Sequence, residues 1–186
     1  LVDKGEQSEA GRWAAQSERY DDLGALLAEV TDPALVVLGP PGAGKSTLLR
    51  RFELDTAIRA LAAAGGSGTG SDPTTEAPIT FFVPLNHYRP ARLGESAPPP
   101  GEWLAEIWST RYPDLPRLPD LLAAGRMVLL LDALNEMPLP SEVAHREAVG
   151  LWKDWLVRLT TAMPGNRVVF SCRSLDYSQP LSTPSL

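Results

Sequence analysis

The densest chemistry in the chain lies in Gly39-Pro40-Pro41-Gly42-Ala43-Gly44-Lys45-Ser46-Thr47, which reads G-x-x-x-x-G-K-S, a phosphate-binding loop. Gly42 and Gly44 let the backbone turn without Cβ clashes, so that successive N–H groups point at one phosphate at the positive end of the following helix. Lys45 would neutralise β- and γ-phosphate charge, Ser46 would ligate Mg²⁺ through its hydroxyl, and the Thr47 N–H would lie near the α-phosphate. Gly39, Pro41 and Ala43 complete the expected contacts of this loop, with ATP or ADP and Mg²⁺ as the expected ligands.

Three residues further along the chain could act on the same phosphates. Asp132 closes the apolar run Met127-Val128-Leu129-Leu130-Leu131. This is the Walker B form, a carboxylate opposite the loop serine that binds Mg²⁺ usually through its water, so Asp132 joins both the nucleotide and the metal contacts. Glu136 would accept a proton from, or orient, the water attacking the γ-phosphate; the bland alternative is a solvated loop carboxylate. Arg173 ends the run Arg167-Val168-Val169-Phe170-Ser171-Cys172 and would reach the γ-phosphate, unless it is a surface arginine paired with a carboxylate such as Asp176. The expected catalytic set is Lys45, Glu136 and Arg173, and the metal set is Ser46 and Asp132. His87 and His145 have no second His or Cys at ligand spacing, so no histidine metal site is expected.

Positioning these groups needs alternating strands and helices. Ala34 to Leu38 is a short apolar run before the loop. Thr31-Asp32-Pro33 separates it from a helical stripe of Trp13, Tyr20, Leu23, Leu26, Leu27 and Val30. That stripe packs on the sheet, or Trp13 or Tyr20 lies close to the nucleotide base. Leu48, Leu49, Phe52, Leu54, Ile58 and Leu61 cover a wide face of a helix halted by Gly65-Gly66, which the pattern predicts to be well buried. Ile79 to Val83, closed by Pro84, is a second strand; two short scaffold helices follow, around Trp103 to Trp108 and Leu118 to Ala124. Met127 to Asp132 is a third strand, apolar enough for cover on both faces, and Arg167 to Cys172 a fourth. Between them, Ala144, Ala148, Trp152, Trp155, Leu156 and Leu159 line one face of a helix, with His145 on its polar side.

This order predicts the α/β class: a P-loop NTPase, three-layer αβα with a mainly parallel sheet, incomplete at the C-terminus, binding ligands beyond the carboxyl ends of its strands. The expected boundaries are a helical lead-in at 1–30, an NTPase core at 31–177 with mobile loops at 62–78 and 90–101, and an extended or disordered tail at 178–186. At 186 residues the chain suits one domain with a sizeable core, and its start at Leu1 and Ser/Pro-rich end suggest a segment of something longer. The net charge of −6 argues against a general nucleic-acid or anionic-membrane surface. A single cysteine, Cys172, permits no internal disulfide, and neither a signal peptide nor a membrane-length apolar run is present, so the expected location is cytoplasmic.

Over roughly Asp21 to Tyr177 these features resemble the NACHT family of signal-transduction NTPases with numerous domains, the STAND class within the AAA-like P-loop ATPases. The specific part is Leu129-Leu130-Leu131-Asp132-Ala133-Leu134-Asn135-Glu136. The family places a small residue directly after the Mg²⁺-associated Asp and an acidic pair two further on; Ala133 and Glu136 match, while Asn135 replaces the first acid and implies slow hydrolysis. Val168 to Arg173 looks like the family's sensor 1 strand, and Phe81-Phe82-Val83-Pro84-Leu85 like its second strand, with Asn86 where the family often has Arg. The resemblance implies the nucleotide switch of a larger bacterial-style signalling or defence sensor. ADP would hold a closed form, ATP an open form that self-associates and activates an effector domain outside this segment. The family's later helical and winged-helix parts, which clamp ADP, would follow Leu186. The alternative is an interaction scaffold that binds nucleotide with little turnover, which Asn135 favours. A metabolic kinase is weaker, since no acceptor pocket or lid is legible, and with no N-K-x-D motif a small-G-protein type is not expected, although use of GTP stays open.

Overall fold

The computed structural model describes residues 19–65, 78–92, 95–177 and 181. Its centre is a four-stranded, wholly parallel sheet of β1 (Ala34–Gly39), β2 (Ile79–Pro84), β3 (Met127–Asp132) and β4 (Arg167–Arg173), in the order β1-β4-β3-β2. The helices are α1 (Leu23–Glu29), α2 (Lys45–Gly65), α3 (Pro100–Arg111), α4 (Leu118–Ala123) and α5 (Glu142–Ala162). Register runs evenly, with Gly39 opposite Arg173 and Pro84 opposite Asp132, so the loops leaving β1, β3 and β4 emerge at one edge.

Side-chain alternation sorts the core into two layers. Phe81, Val83, Leu129, Leu131, Val168 and Phe170 pack with α3, α4 and α5, whereas Phe82, Val128, Leu130 and Val169 pack with Leu23 of α1 and Leu49 and Phe52 of α2. Helices therefore cover both faces of the sheet. Every residue of β3 is buried, as its continuous apolar run requires. The larger layer centres on Trp152, whose ring lies 5.2 Å from Tyr88, 5.5 Å from Trp155 and 5.8 Å from Phe170, in edge-to-face or tilted contacts.

Buried polar groups tie the elements together. Asn166 donates to the carbonyls of Leu122 and Met163 and accepts the Met127 N–H, stapling α4, α5 and β3 where two strands begin. Arg167 donates to Leu27 O and Val30 O, placing a cation at the negative end of α1. At the β2 edge, the outward N–H and C=O of Phe82 are taken by Glu53 and Arg111, which blunts an otherwise open strand. β1 forms the other edge and has no strand beyond it among the described residues.

Several expectations are corrected. α2 is not buried over a wide face: Leu49, Phe52 and Thr56 turn inward, but Leu54, Ile58 and Leu61 are exposed at 54%, 54% and 74%. Those three lie on the side of the helix opposite the sheet, and no described element covers them. Residues 62–65 continue α2 rather than opening a loop, and the rest of the expected loop at 66–77 lies outside the described residues. Pro100 and Gly101 start α3 instead of closing a loop, because proline at a first helical position gives up an N–H that has no partner there anyway. Beyond β4 the chain makes a turn, with the Asp176 N–H on Arg173 O, and Leu181 is buried with its N–H on the Tyr177 hydroxyl. The remaining expected tail and residues 1–18, Trp13 included, lie outside the described residues. Among the described residues no helix is long and apolar enough to cross a membrane.

Candidate functional site

The strand order opens a crevice at the carboxyl ends of the strands. From β1 the chain crosses along the α2 face to β2 at the far edge, then returns through β3 to β4 beneath α3, α4 and α5. α/β folds leave space beyond the carboxyl ends of the strands where connections depart on opposite faces of the sheet, as those leaving β1 and β3 do here. A concavity of about 320 Å³ lies there, lined by residues 41–47 together with Asp132, Glu136, Ser171 and Arg173. A larger hollow of about 510 Å³ sits at the opposite edge among Phe52, Met127 and Arg167, but no carboxylate lines it and it faces the amino ends of the strands.

Gly42 and Gly44 take φ of 74° and 82°. A Cβ at either position would meet nothing within 4 Å, so backbone angle rather than crowding is what calls for glycine. The turn delivers the chain into α2 at Lys45, a helix of 21 residues with no acidic side chain in its first turn to offset its positive end. Lys45 Nζ folds back and donates to Gly39 O at 2.8 Å and Pro40 O at 2.9 Å. The ammonium is thus held over the loop.

Asp132 and Ser171 share the strand parity of the α2 face, which turns both toward the start of that helix. Ser46 Oγ donates to Asp132 Oδ1 at 3.0 Å, and Asp132 is only 7% exposed. A serine hydroxyl beside a carboxylate is a hard-oxygen pair that suits Mg²⁺, which keeps most of its waters and takes few protein ligands. The described residues hold no cluster of three His, Cys, Asp or Glu side chains fit for a metal, and a Ser–Asp site does not need one. His87 is exposed; His145, expected alone on a polar face, is half-buried with Nε2 3.3 Å from Leu134 O.

The segment after β3 is bent sharply. Ala133 adopts φ 63° and ψ 58°, the left-handed region, before a 3₁₀ turn at Leu134–Glu136. This is the physical reason for a small residue there, since a larger or β-branched one resists that conformation. The turn swings Glu136 toward Arg173, whose Nη2 donates to Glu136 Oε1 at 2.7 Å, both side chains being 43% exposed. Asp176, the carboxylate that the sequence offers to Arg173, is instead bonded by Asn135 Nδ2 at 3.0 Å, while Asn135 Oδ1 accepts the Arg173 N–H. An aspartate at 135 would face Asp176 with like charge; the amide joins the two loops. Cys172, behind these groups, is buried, and burial together with the Asp176 charge pushes its thiol up from the ordinary value.

The structure therefore brings Lys45, Ser46, Asp132, Glu136 and Arg173 to one concavity, while Tyr20 is not among its lining residues. No family model matches the chain, and no curated protein matches it. Sequence reasoning missed Ser171. Its Oγ accepts the Ala133 N–H at 2.8 Å and donates to Asp132 Oδ1 at 2.5 Å. The signal available was a lone hydroxyl inside an apolar strand, since a buried polar group must find a partner.

Proposed function

We propose that this chain is a Mg²⁺-dependent nucleotide-binding domain that hydrolyses ATP slowly and serves as a switch of the NACHT type in a larger signalling or defence protein. The observation that carries the reading is the meeting, at one sheet edge, of a loop with two left-handed glycines, its lysine, and a serine 3.0 Å from a buried carboxylate. Loop N–H groups and the α2 terminus would hold the phosphates and Lys45 would neutralise them. Mg²⁺, when bound by Ser46 and Asp132, would supply charge to the β- and γ-phosphates. In hydrolysis a water oxygen bonds to the γ-phosphorus, the bond to the bridging oxygen breaks, ADP leaves with the electron pair, and Glu136 accepts a water proton. Titration of a fluorescent ATP analogue with and without Mg²⁺ tests this. The parent should bind in a Mg²⁺-dependent way, and Lys45→Ala should weaken binding by about 1.5–3 kcal/mol with the fold intact; equal affinity in both would remove the phosphate-loop reading.

A second reading, a nucleotide-binding scaffold with little turnover, draws on the ion pair. With Arg173 on Glu136 at 2.7 Å, the carboxylate is engaged and cannot act on water until the pair opens. ATP hydrolysis measured at enzyme excess separates the two: turnover abolished by Glu136→Gln supports the switch, and no turnover in the parent supports the scaffold.

A further inference from the structure

We infer that Ser171 is a positioning residue for the metal-binding carboxylate, coupling the orientation of Asp132 to the bend that carries Glu136. This rests on the nucleotide reading above. Ser171 is 1% exposed and has a single hydroxyl proton, which goes to Asp132 Oδ1, while its lone pair accepts the Ala133 N–H. The chain of donation runs from the Ala133 backbone through the hydroxyl to the carboxylate. One oxygen thereby fixes two neighbours at once.

Both neighbours need fixing. Asp132 Oδ1 also receives the Ser46 hydroxyl, so without Ser171 the carboxylate is anchored from the α2 side only and can turn with it. Ala133 sits in a backbone region that costs an L-residue free energy, and it persists there only when its surroundings enforce it. The bond from its N–H to Ser171 is a tie from β4 at that point. Strand pairing makes Ser171 a rigid base, because β4 lies between β1, which leads into the phosphate loop, and β3, which carries Asp132. Partners that orient a ligating carboxylate commonly change metal affinity about 10–100-fold when removed.

The test is the Mg²⁺ dependence of fluorescent ADP binding by the whole chain, with Ser171→Ala, Ser171→Thr and Ser171→Val compared with the parent. Ser171→Ala should raise the Mg²⁺ concentration for half-maximal binding by about tenfold or more, while affinity in EDTA, set by the phosphate loop, stays within about twofold. Thr and Val add the same bulk in the same buried place, so Thr should restore the parent midpoint and Val should not. A merely structural role would lower melting temperature in Thr and Val alike and leave the Mg²⁺ midpoint unmoved. An Ala midpoint within about twofold of the parent, or Thr and Val behaving alike, overturns the inference and leaves the nucleotide reading standing. A parent with no Mg²⁺-dependent binding removes the nucleotide reading, and this inference with it.

Discussion

Arg173→Ala should weaken ATP and leave ADP nearly untouched, and the size of the effect follows from the pair that Arg173 now makes. Its guanidinium is 2.7 Å from Glu136 Oε1 with both side chains 43% exposed, a setting in which ion pairs contribute about 0–1 kcal/mol. A charge-assisted hydrogen bond to a γ-phosphate contributes about 1.5–3 kcal/mol. The γ-phosphate would therefore win over the carboxylate by about 0.5–3 kcal/mol, a factor of about 2–150 in affinity. ADP presents no such group, so Arg173 stays on Glu136 and ADP affinity should change less than about twofold. A ligand shifts a two-state equilibrium only by its differential affinity for the states, so this selectivity is the largest contribution Arg173 can make to a switch. Calorimetry of both nucleotides with Mg²⁺, on parent and variant, reads it directly. Glu136→Gln gives an independent check: freeing Arg173 from a full charge should tighten ATP by up to about fivefold, the upper worth of the exposed pair. Equal weakening of ATP and ADP by Arg173→Ala, or weaker ATP binding in Glu136→Gln, would refute the competition argument.

Other outcomes follow from the same geometry. Glu136→Gln should slow ATP hydrolysis by about 10²-fold or more if its carboxylate takes the water proton, measured as phosphate release under saturating ATP; unchanged turnover makes Glu136 only the partner of Arg173. Ala133→Gly should leave stability unchanged or raise it by up to about 1 kcal/mol, because relief of the left-handed backbone is offset by chain entropy, whereas Ala133→Val should lose stability in denaturant titration. Trp152 is fully buried and no described group accepts its indole N–H. Trp152→Ala should cost about 3–5 kcal/mol, while Trp152→Phe should cost much less, since it also removes an unpartnered donor; thermal unfolding of the three proteins compares them.

The strands were legible because each is a short apolar run whose last residue breaks the apolar pattern: Gly39 before the loop, Pro84, Asp132 and Arg173. Their alternation with helices implies a parallel sheet, and the carboxyl-end rule then collects the loop at 39–47, Asp132 and Arg173 at one edge without any knowledge of neighbours. What periodicity does not contain is which side of a helix is covered. Leu54, Ile58 and Leu61 belong to the same apolar series as Leu49 and Phe52, yet they project away from the sheet because α2 packs one stripe against it and, among the described residues, has only α1 beside it. Partners distant in sequence were equally hidden. Arg173 and Asp176 are close in the chain, which makes their pairing the natural guess, but the left-handed turn at Ala133 carries Glu136 to Arg173 and Asn135 to Asp176.

Ser171 lies between these cases. In Val168-Val169-Phe170-Ser171-Cys172 it is the one hydroxyl in a run expected to be buried, and a buried hydroxyl costs free energy unless both its proton and its lone pairs are engaged. Its place two residues before Arg173 sets the face it points to, since strand side chains alternate. Asp132, the last residue of β3, offers an acceptor on that same face, and the bent peptide after it offers a donor. Only the adjacency of β3 and β4 was missing, and that follows from strand order rather than from any local pattern. Given the order, the serine and the aspartate meet, because both side chains are buried at the strand end and each supplies the partner that the other's polar group needs.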